Sequence, residues 1–266
     1  MTDTVKTNGV DTAYRFDGPA NGRVVLMSNS LMSNYTMWDW TLPALTDRYR
    51  VLRYDMRGHG KSGTTPAPYS IPQLADDVVA LMDALGVAKA HFVGLSMGGM
   101  IGQQLGARYG DRVHSLSLCD TASEMPPRNL WEDRLAAARE KGVAGLADAT
   151  LQRWFTAPFL KRAPQDIEKV RQMILGTGLE GYIGCASAVR DMSQTTMLLK
   201  IKTPTLILTG RQDPATTVEQ STVLNRMIDG SQMVVIEEAA HLSNIEQPAV
   251  FNQTVRAFID KVDATL

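Results

Sequence analysis

Cysteine is scarce in this sequence, and no spacing of its histidines is typical of a metal site. Only two of the 266 residues are cysteines, and Cys119 and Cys185 lie far apart. The four histidines are scattered, so neither a disulfide framework nor a set of metal ligands is indicated. We interpret the cysteines as buried apolar residues, and we expect the protein to need no metal and no organic cofactor.

The sequence also lacks an excess of charge of one sign and a long apolar run. The formal net charge is −1, and no basic stretch is visible, so nucleic acid and acidic membrane surfaces are not expected partners. No segment is apolar enough to cross a membrane, and residues 1–16 lack the pattern of a signal peptide. These features predict a cytoplasmic protein whose partner is a small molecule, and they leave self-association open.

What the sequence does contain is an alternation of strand-like and helix-like segments. Short apolar runs are typical of strands that are covered on both faces. They lie at 24–27, 49–54, 91–93, 113–118, 205–208 and 233–236, with an alternating segment that predicts an edge strand at 11–16. Amphipathic patterns predict helices at 74–85, 97–109 and 246–262. This alternation indicates an α/β fold with a mostly parallel sheet of about eight strands.

The alternation stops in the middle of the chain, where the pattern is helical throughout. Helices are predicted at 131–141, 143–155, 164–175 and 182–189. We therefore expect a helical cap at 123–195, inserted into a core made of 1–122 and 196–266. A chain of 266 residues is long enough for such a domain with an inserted lobe.

A serine stands between glycines at the end of one predicted strand. The segment Gly94-Leu95-Ser96-Met97-Gly98 follows the apolar run 90–93 and opens the next helical pattern. It matches G-x-S-x-G, in which a sharp strand-to-helix turn presents the serine hydroxyl above the sheet edge. The helix N-terminus beside it favours developing negative charge. Ser96 is predicted to be a nucleophile, and the alternative interpretation is an ordinary turn.

A serine nucleophile needs a histidine base and an acid that orients the base, here in the chain order serine, acid, histidine. Asp213 and His241 each follow a predicted strand, so they should lie at the same sheet edge as Ser96. We predict that these three residues form a catalytic triad. Asp120, which also follows a strand, is the alternative acid. His59 is interpreted as a residue that shapes a glycine-rich loop rather than as a second base.

Acyl transfer also needs hydrogen-bond donors for the negative oxygen that forms on the attacked carbonyl. One predicted donor is the backbone N–H of Met97, the residue after the nucleophile. The other is the backbone N–H of Leu31, in the loop Ser28-Asn29-Ser30-Leu31-Met32-Ser33 that follows the strand at 24–27. These two N–H groups are the predicted oxyanion hole.

With these residues in view, the chain resembles the α/β-hydrolase superfamily and, more narrowly, 3-oxoadipate enol-lactonases, over nearly its whole length. The motifs that carry the resemblance are Ser28-Asn29-Ser30-Leu31, Met37-Trp38-Asp39, Val51 to Asp55 with Arg57-Gly58-His59-Gly60, Gly94 to Gly99, Arg153 to Thr156, and His241 to Glu246. The enol-lactonase branch usually has glycine after Ser-Asn-Ser-Leu, whereas this sequence has Met32. That departure bears on the substrate more than on the chemistry.

The resemblance implies an α/β-hydrolase fold and a serine hydrolase that cleaves an ester or lactone through an acyl-enzyme. It implies an enzyme like a 3-oxoadipate enol-lactonase of aromatic catabolism, with Arg153 and Trp154 facing the substrate from the cap. The alternative for these two is a surface charge and an anchor between cap and core. Two other functions stay open: a general carboxylesterase or perhydrolase, and a non-catalytic receptor that keeps the triad.

Overall fold

The computed structural model describes residues 2–266, and this part of the chain contains one eight-stranded sheet. Its strands are β1 (Asp3–Thr7), β2 (Val10–Asp17), β3 (Val24–Ser28), β4 (Arg50–Tyr54), β5 (Ala90–Leu95), β6 (Val113–Cys119), β7 (Thr205–Gly210) and β8 (Gln232–Ile236). They lie in the order β1-β2-β4-β3-β5-β6-β7-β8. Pairs β1–β2 and β2–β4 are antiparallel, and all other neighbours are parallel. The predicted mostly parallel sheet is confirmed.

Helices flank the sheet and connect its strands. The α-helices are α1 (Ile71–Ala84), α2 (Met97–Arg108), α3 (Arg128–Lys141), α4 (Ala147–Trp154), α5 (Ala157–Arg162), α6 (Pro164–Leu175), α7 (Leu179–Asp191), α8 (Val218–Met227), α9 (Ser243–Glu246) and α10 (Pro248–Asp263). Short 3₁₀ helices lie at Tyr35–Trp38, Leu42–Ala44, Gly110–Arg112, Val143–Leu146 and Thr195–Lys200. Along residues 2–266, no helix has both the length and the apolar composition that a membrane span requires.

The apolar pattern explains where these elements pack. Every residue of β5 and of β7 is buried, which is why their sequences read as continuous apolar runs. Burying one side chain such as Phe92 stabilises the fold by roughly 1.5–3 kcal/mol. Helix α1 buries Leu74, Val78 and Leu81 along one face, and the Ser70 side chain caps its first turn by accepting the Gln73 N–H.

Three elements differ from the expectation. The predicted edge strand at 11–16 is β2, the second strand, because β1 pairs with it and forms the edge. Strand β1 is mostly exposed and polar, so it carries no apolar signal. The predicted helix at 143–155 is instead a 3₁₀ turn followed by α4. Helix α8 was not predicted, although its capping box of Thr217 and Gln220 is a recognisable start signal.

Helices α3 to α7 all lie between β6 and β7, where the sequence predicts a helical insertion. Division of the chain into a core and a cap at 123–195 stays a prediction. The parallel strands β5, β6, β7 and β8 end at a common sheet edge, so the loops that follow them converge there. This edge carries the residues that the sequence singles out.

Candidate active site

Ser96 occupies a sharp turn between β5 and α2. Its backbone has φ 57° and ψ −116°, a strained conformation that side-chain-bearing residues rarely adopt. The turn is held on both sides: the Ser96 N–H donates to the Cys119 carbonyl at 2.9 Å, and the Thr121 hydroxyl donates to the Ser96 carbonyl at 2.7 Å. The structure therefore maintains a local strain that presents the Ser96 side chain at the sheet edge.

The glycines on either side of Ser96 are required by space. A Cβ on Gly94 would lie 2.2 Å from the Gly98 carbonyl oxygen, and a Cβ on Gly98 would lie 2.1 Å from the Ser28 carbonyl oxygen. Both contacts are with backbone atoms, which cannot move aside as a flexible side chain can. The G-x-S-x-G spacing thus follows from close approach between the turn, α2 and the end of β3.

His241 and Asp213 lie in contact at the same edge. His241 Nδ1 and Asp213 Oδ2 are 2.8 Å apart, and both side chains are almost fully buried. Asp213 also accepts hydrogen bonds from the backbone N–H of Ala215 at 2.7 Å and from the Thr216 hydroxyl at 2.6 Å. The carboxylate is therefore saturated with donors, which fixes its orientation toward the imidazole.

The pair shifts the titration of both groups. Burial opposes the charge on Asp213, but His241 and the hydrogen bonds from Thr216 outweigh it, so the pKa of the Asp213 carboxyl lies below its ordinary value. Burial also opposes the charge on His241, and the Asp213 carboxylate more than offsets it, so the pKa of the imidazole is raised. The Asp213 carboxylate therefore stabilises the positive charge that the imidazole gains when it accepts a proton.

Asp120, the alternative acid, lies nearby but bonds elsewhere. Its carboxylate accepts the Gly210 N–H at 2.8 Å and contacts the Ser243 hydroxyl at 2.5 Å. Burial, with repulsion from Asp213, raises the pKa of Asp120 to about 8. Asp120 thus joins the ends of β6 and β7 to the start of α9, while Asp213 holds the imidazole.

Ser96 and His241 line one small cavity, together with the two residues predicted for the oxyanion hole, Leu31 and Met97. Within residues 2–266, no hydrogen bond joins the Ser96 hydroxyl to the His241 ring. Such contacts are often long before a substrate is bound. The cavity has a volume of about 50 Å³.

The loop after β3 places Leu31 against this cavity. Across the described residues, the backbone hydrogen bonds of turns and loops use neither the Leu31 N–H nor the Met97 N–H. The next residue, Met32, has φ 64°, which is the left-handed conformation that favours glycine. At this position the enol-lactonase pattern has glycine, which adopts such a conformation at little cost. Met32 adopts the same conformation although it carries a side chain.

Residues between β6 and β7 close the cavity from the other side. The Trp154 ring stacks on His241 with ring centroids 6.2 Å apart, and Arg153 also lines the cavity. Sequence reasoning missed Arg134 and Tyr182, which face the same cavity from α3 and α7. No local signal marks them, because an arginine or tyrosine on an amphipathic helix is ordinary; only the packing of α3 against α7 brings them together.

The two arginines have no acidic partner in the part of the chain that the structure describes. Burial lowers the pKa of Arg134, and burial together with Arg134 lowers the pKa of Arg153. The Arg153 guanidinium donates to the Thr150 hydroxyl at 3.1 Å, and Arg134 lies 4.7 Å over the Trp131 ring. Two half-buried positive charges without a counter-ion make the cavity favourable for an anionic group.

His59 and the cysteines are not part of the cavity lining. His59 is buried, and burial lowers its pKa to about 4. Cys119 and Cys185 are free and buried. Among residues 2–266, no group of three or more histidine, cysteine, aspartate or glutamate side chains is arranged to hold a metal ion.

Comparison with known proteins identifies the family. The profile of the alpha/beta hydrolase fold matches residues 23–248. The chain belongs to this family. It is 36% identical to 3-oxoadipate enol-lactonase 2 of Acinetobacter baylyi, over 97% of both chains.

Solved structures agree. The enol-lactonase of Burkholderia xenovorans LB400 is 39% identical with a TM-score of 0.95, over 97% of this chain and 100% of that one. A thermophilic esterase of Thermogutta terrifontis is 31% identical with a TM-score of 0.91, over 98% of this chain and 99% of that one. The resemblance to α/β hydrolases seen in the sequence is therefore confirmed.

Proposed function

We propose that the protein is a serine hydrolase that cleaves a carboxylic ester or lactone through an acyl-enzyme at Ser96. The observation that carries this proposal is the 2.8 Å contact of His241 Nδ1 with Asp213. That contact leaves the second ring nitrogen, Nε2, for the serine that shares the cavity with His241. A residue on a strained turn, a buried acid–imidazole pair and two free backbone N–H groups are what acyl transfer requires.

The proposed reaction has two stages. His241 takes the proton of the Ser96 hydroxyl as its oxygen attacks the substrate carbonyl, and the N–H groups of Leu31 and Met97 stabilise the tetrahedral oxyanion. The carbon–oxygen bond of the ester then breaks, and His241 returns the proton to the leaving alkoxide or enolate. His241 next takes a proton from water as the water oxygen attacks the acyl-enzyme carbonyl. When the second tetrahedral intermediate collapses, the bond to the Ser96 oxygen breaks, His241 returns its proton to that oxygen, and the acid is released. Asp213 stabilises the charged imidazole throughout.

We further propose that the substrate is a small lactone or ester that carries a carboxylate. Arg134 and Arg153 support this, because both face the cavity without an acidic partner. Space supports it as well. The cavity of about 50 Å³ suits a compact acyl group, and a groove of about 260 Å³, lined by the same two arginines and Tyr182, offers room for the remainder.

The enol-lactonase relatives, at 36% and 39% identity, make 3-oxoadipate enol-lactone the first substrate to test. In its cleavage the leaving group is an enolate, which departs readily. We also propose that residues 123–195 act as a cap that supplies Arg134, Arg153 and Trp154 to the substrate. Both proposals concern the substrate, and they can fail while the serine chemistry stands.

Steady-state kinetics test the proposal directly. The substrates are 3-oxoadipate enol-lactone, an uncharged lactone of the same ring size and p-nitrophenyl acetate. Wild-type protein should hydrolyse all three, with the highest kcat/KM for the first, and Ser96→Ala should lower kcat by about 10⁶-fold. A Ser96→Ala protein with wild-type turnover would exclude the acyl-enzyme. Turnover of the neutral ester alone would keep the serine mechanism and exclude the anionic substrate.

A labelling experiment separates catalysis from ligand binding without turnover. Diethyl p-nitrophenyl phosphate phosphorylates activated serines, and mass spectrometry of peptides should locate one diethylphosphoryl group on Ser96. If every substrate is hydrolysed only at the uncatalysed rate and no serine is labelled, the non-catalytic receptor is favoured instead.

A further inference from the structure

One buried histidine is not used by the proposed mechanism. His59 is 1% exposed, and its Nε2 accepts a hydrogen bond from the backbone N–H of Met32 at 3.0 Å. Because a backbone N–H can only donate, Nε2 carries no proton, and the ring proton must sit on Nδ1. Nδ1 lies 3.3 Å from the Arg57 carbonyl oxygen, which is a suitable acceptor for it. The imidazole thus bridges two backbone segments.

The segment that His59 contacts is the one with an unusual backbone. Met32 has φ 64°, in the region that costs energy for every residue with a Cβ. The residue before it is Leu31, whose N–H is one of the two proposed oxyanion donors. An oxyanion donor is effective only when it points at the place where the negative oxygen forms. The Leu31–Met32 peptide plane, which the turn at Met32 fixes, adjoins the Ser30–Leu31 plane that carries this N–H, so the turn restricts where the Leu31 N–H can point.

The imidazole itself is held rigidly. Gly58 and Gly60 flank it with φ 76° and φ 52°, so the loop turns tightly around the ring. Cys185 of α7 packs against the ring with Sγ 3.9 Å from Nδ1. Arg57, just before this loop, forms a two-point contact with Asp77 at 2.8 and 2.7 Å. His59 is also neutral, since burial lowers its pKa to about 4, so Nε2 stays an acceptor at neutral pH.

We propose that His59 is a positioning residue that holds the left-handed turn at Met32 and thereby aims the Leu31 N–H into the oxyanion hole. This inference rests on the proposed function, because it assigns a role only if an oxyanion forms at Ser96. It gives the Arg57-Gly58-His59-Gly60 motif a task distinct from that of the triad base. It also explains how this chain tolerates methionine where the enol-lactonase pattern has glycine.

The proposal makes His59 and Met32 interdependent. With methionine at 32, loss of the Nε2 acceptor lets the turn relax to an ordinary conformation and moves the Leu31 N–H. With glycine at 32, the left-handed conformation costs little, so the turn persists without His59. Loss of His59 should therefore matter less in a chain that carries Met32→Gly.

The test is a double-mutant cycle on kcat and KM for p-nitrophenyl acetate. His59→Leu should lower kcat by roughly 10- to 100-fold, less than the full loss of an oxyanion donor, with KM within about threefold. His59→Gln, which offers an amide oxygen near the position of Nε2, should recover most of that loss. In the Met32→Gly background, the fold-loss of kcat caused by His59→Leu should be at least about fivefold smaller than in the chain with Met32. Equal losses with Met32 and with Gly at position 32, or wild-type kcat in His59→Leu, would overturn the proposal.

Two further measurements keep the outcome clear. Cys185→Ala removes one neighbour that packs against the ring but keeps the Nε2 hydrogen bond, so it should lower kcat much less than His59→Leu does. If His59 variants do not fold, ¹⁵N NMR of the wild-type imidazoles decides: a protonated Nε2 on His59 contradicts the inference, and a protonated Nδ1 supports it. Ser96→Ala serves as the reference, because an active Ser96→Ala protein would reject the proposed function, whereas an active His59→Leu protein rejects only this role.

Discussion

Trp154 and His241 lie ring against ring, with centroids 6.2 Å apart and planes inclined by 30°. Trp154 ends α4, and His241 follows β8, so the contact joins the helical region to the sheet edge. The backbone reinforces it, since the Leu242 N–H donates to the Trp154 carbonyl at 3.1 Å. The position of the proposed base is therefore set from two sides, by the Asp213 carboxylate and by an indole.

Replacing Trp154 should affect the placement of His241. We expect Trp154→Leu to lower kcat by about tenfold, because a small displacement of a catalytic group is costly, and to lower the unfolding free energy by roughly 2–3 kcal/mol. Trp154→Phe keeps an aromatic ring against the imidazole and should retain most of both. Kinetics and denaturant unfolding of the two variants provide the measurement. Equal kcat in both would show that the stacking does not position the base.

Replacing each of the two buried aspartates with asparagine should distinguish their roles. Asp213→Asn leaves the imidazole without its negative partner and in the wrong tautomer, so kcat should fall by about 10⁴-fold. Asp120→Asn preserves contacts to Gly210 and Ser243 and should stay within about tenfold of wild type, an effect typical of a neighbouring residue. If Asp120→Asn showed the larger loss, the acid would be misassigned.

Asp120 also makes stability depend on pH. Its pKa is raised from 3.8 to about 8, so the folded state holds a proton that the unfolded chain releases near pH 4. The stability that this proton confers is fully present below pH 3.8 and is lost as the pH rises toward 8. Relative to Asp120→Asn, wild-type protein should therefore become progressively less stable across this window. Urea midpoints of both proteins at pH 5, 6.5 and 8 test it; a constant difference would contradict the shift.

Strain at Ser96 predicts that glycine at this position gives a more stable protein than alanine does. Its φ of 57° with ψ −116° is open to glycine but costly for serine or alanine. Ser96→Gly should therefore be more stable than Ser96→Ala by about 1 kcal/mol, since relief of roughly 1–3 kcal/mol of strain exceeds the cost of about 0.5–1 kcal/mol for a more flexible unfolded chain. Both variants should be inactive. Denaturation midpoints decide, and an alanine variant at least as stable as the glycine variant would argue against stored strain.

Arg134 and Arg153 should affect the binding of a negatively charged substrate and not ester cleavage itself. Arg153→Ala and Arg134→Ala should each lower kcat/KM for the carboxylate-bearing lactone by roughly 10- to 100-fold, the range expected for a lost charged hydrogen bond. The value for p-nitrophenyl acetate should change little. Arg171, which pairs with Asp148 in the same helical region, offers a control, and Arg171→Ala should leave both substrates unaffected. Unchanged kcat/KM for the lactone in both cavity variants would reject an anionic substrate.

Much of the fold was predictable because its signals are local. The buried strands read as apolar runs, and the turn at Ser96 reads as G-x-S-x-G because backbone atoms crowd Gly94 and Gly98. Strand β1 was not predictable, because an exposed edge strand needs no apolar pattern. Arg134 and Tyr182 were not predictable either, since their meeting depends on how α3 packs against α7.

The sequence by itself determined which residue types stand at the ends of the strands, because parallel strands place their carboxyl ends at one edge whatever the details of packing. Only the tertiary structure decided between Asp213 and Asp120 as the partner of His241. Both residues follow strands, but Asp213 contacts the imidazole and Asp120 contacts Gly210 and Ser243. The tertiary structure alone also showed that the His59 ring accepts the Met32 N–H. Contacts between residues distant in the chain depend on the packing of whole elements, and no local pattern records them.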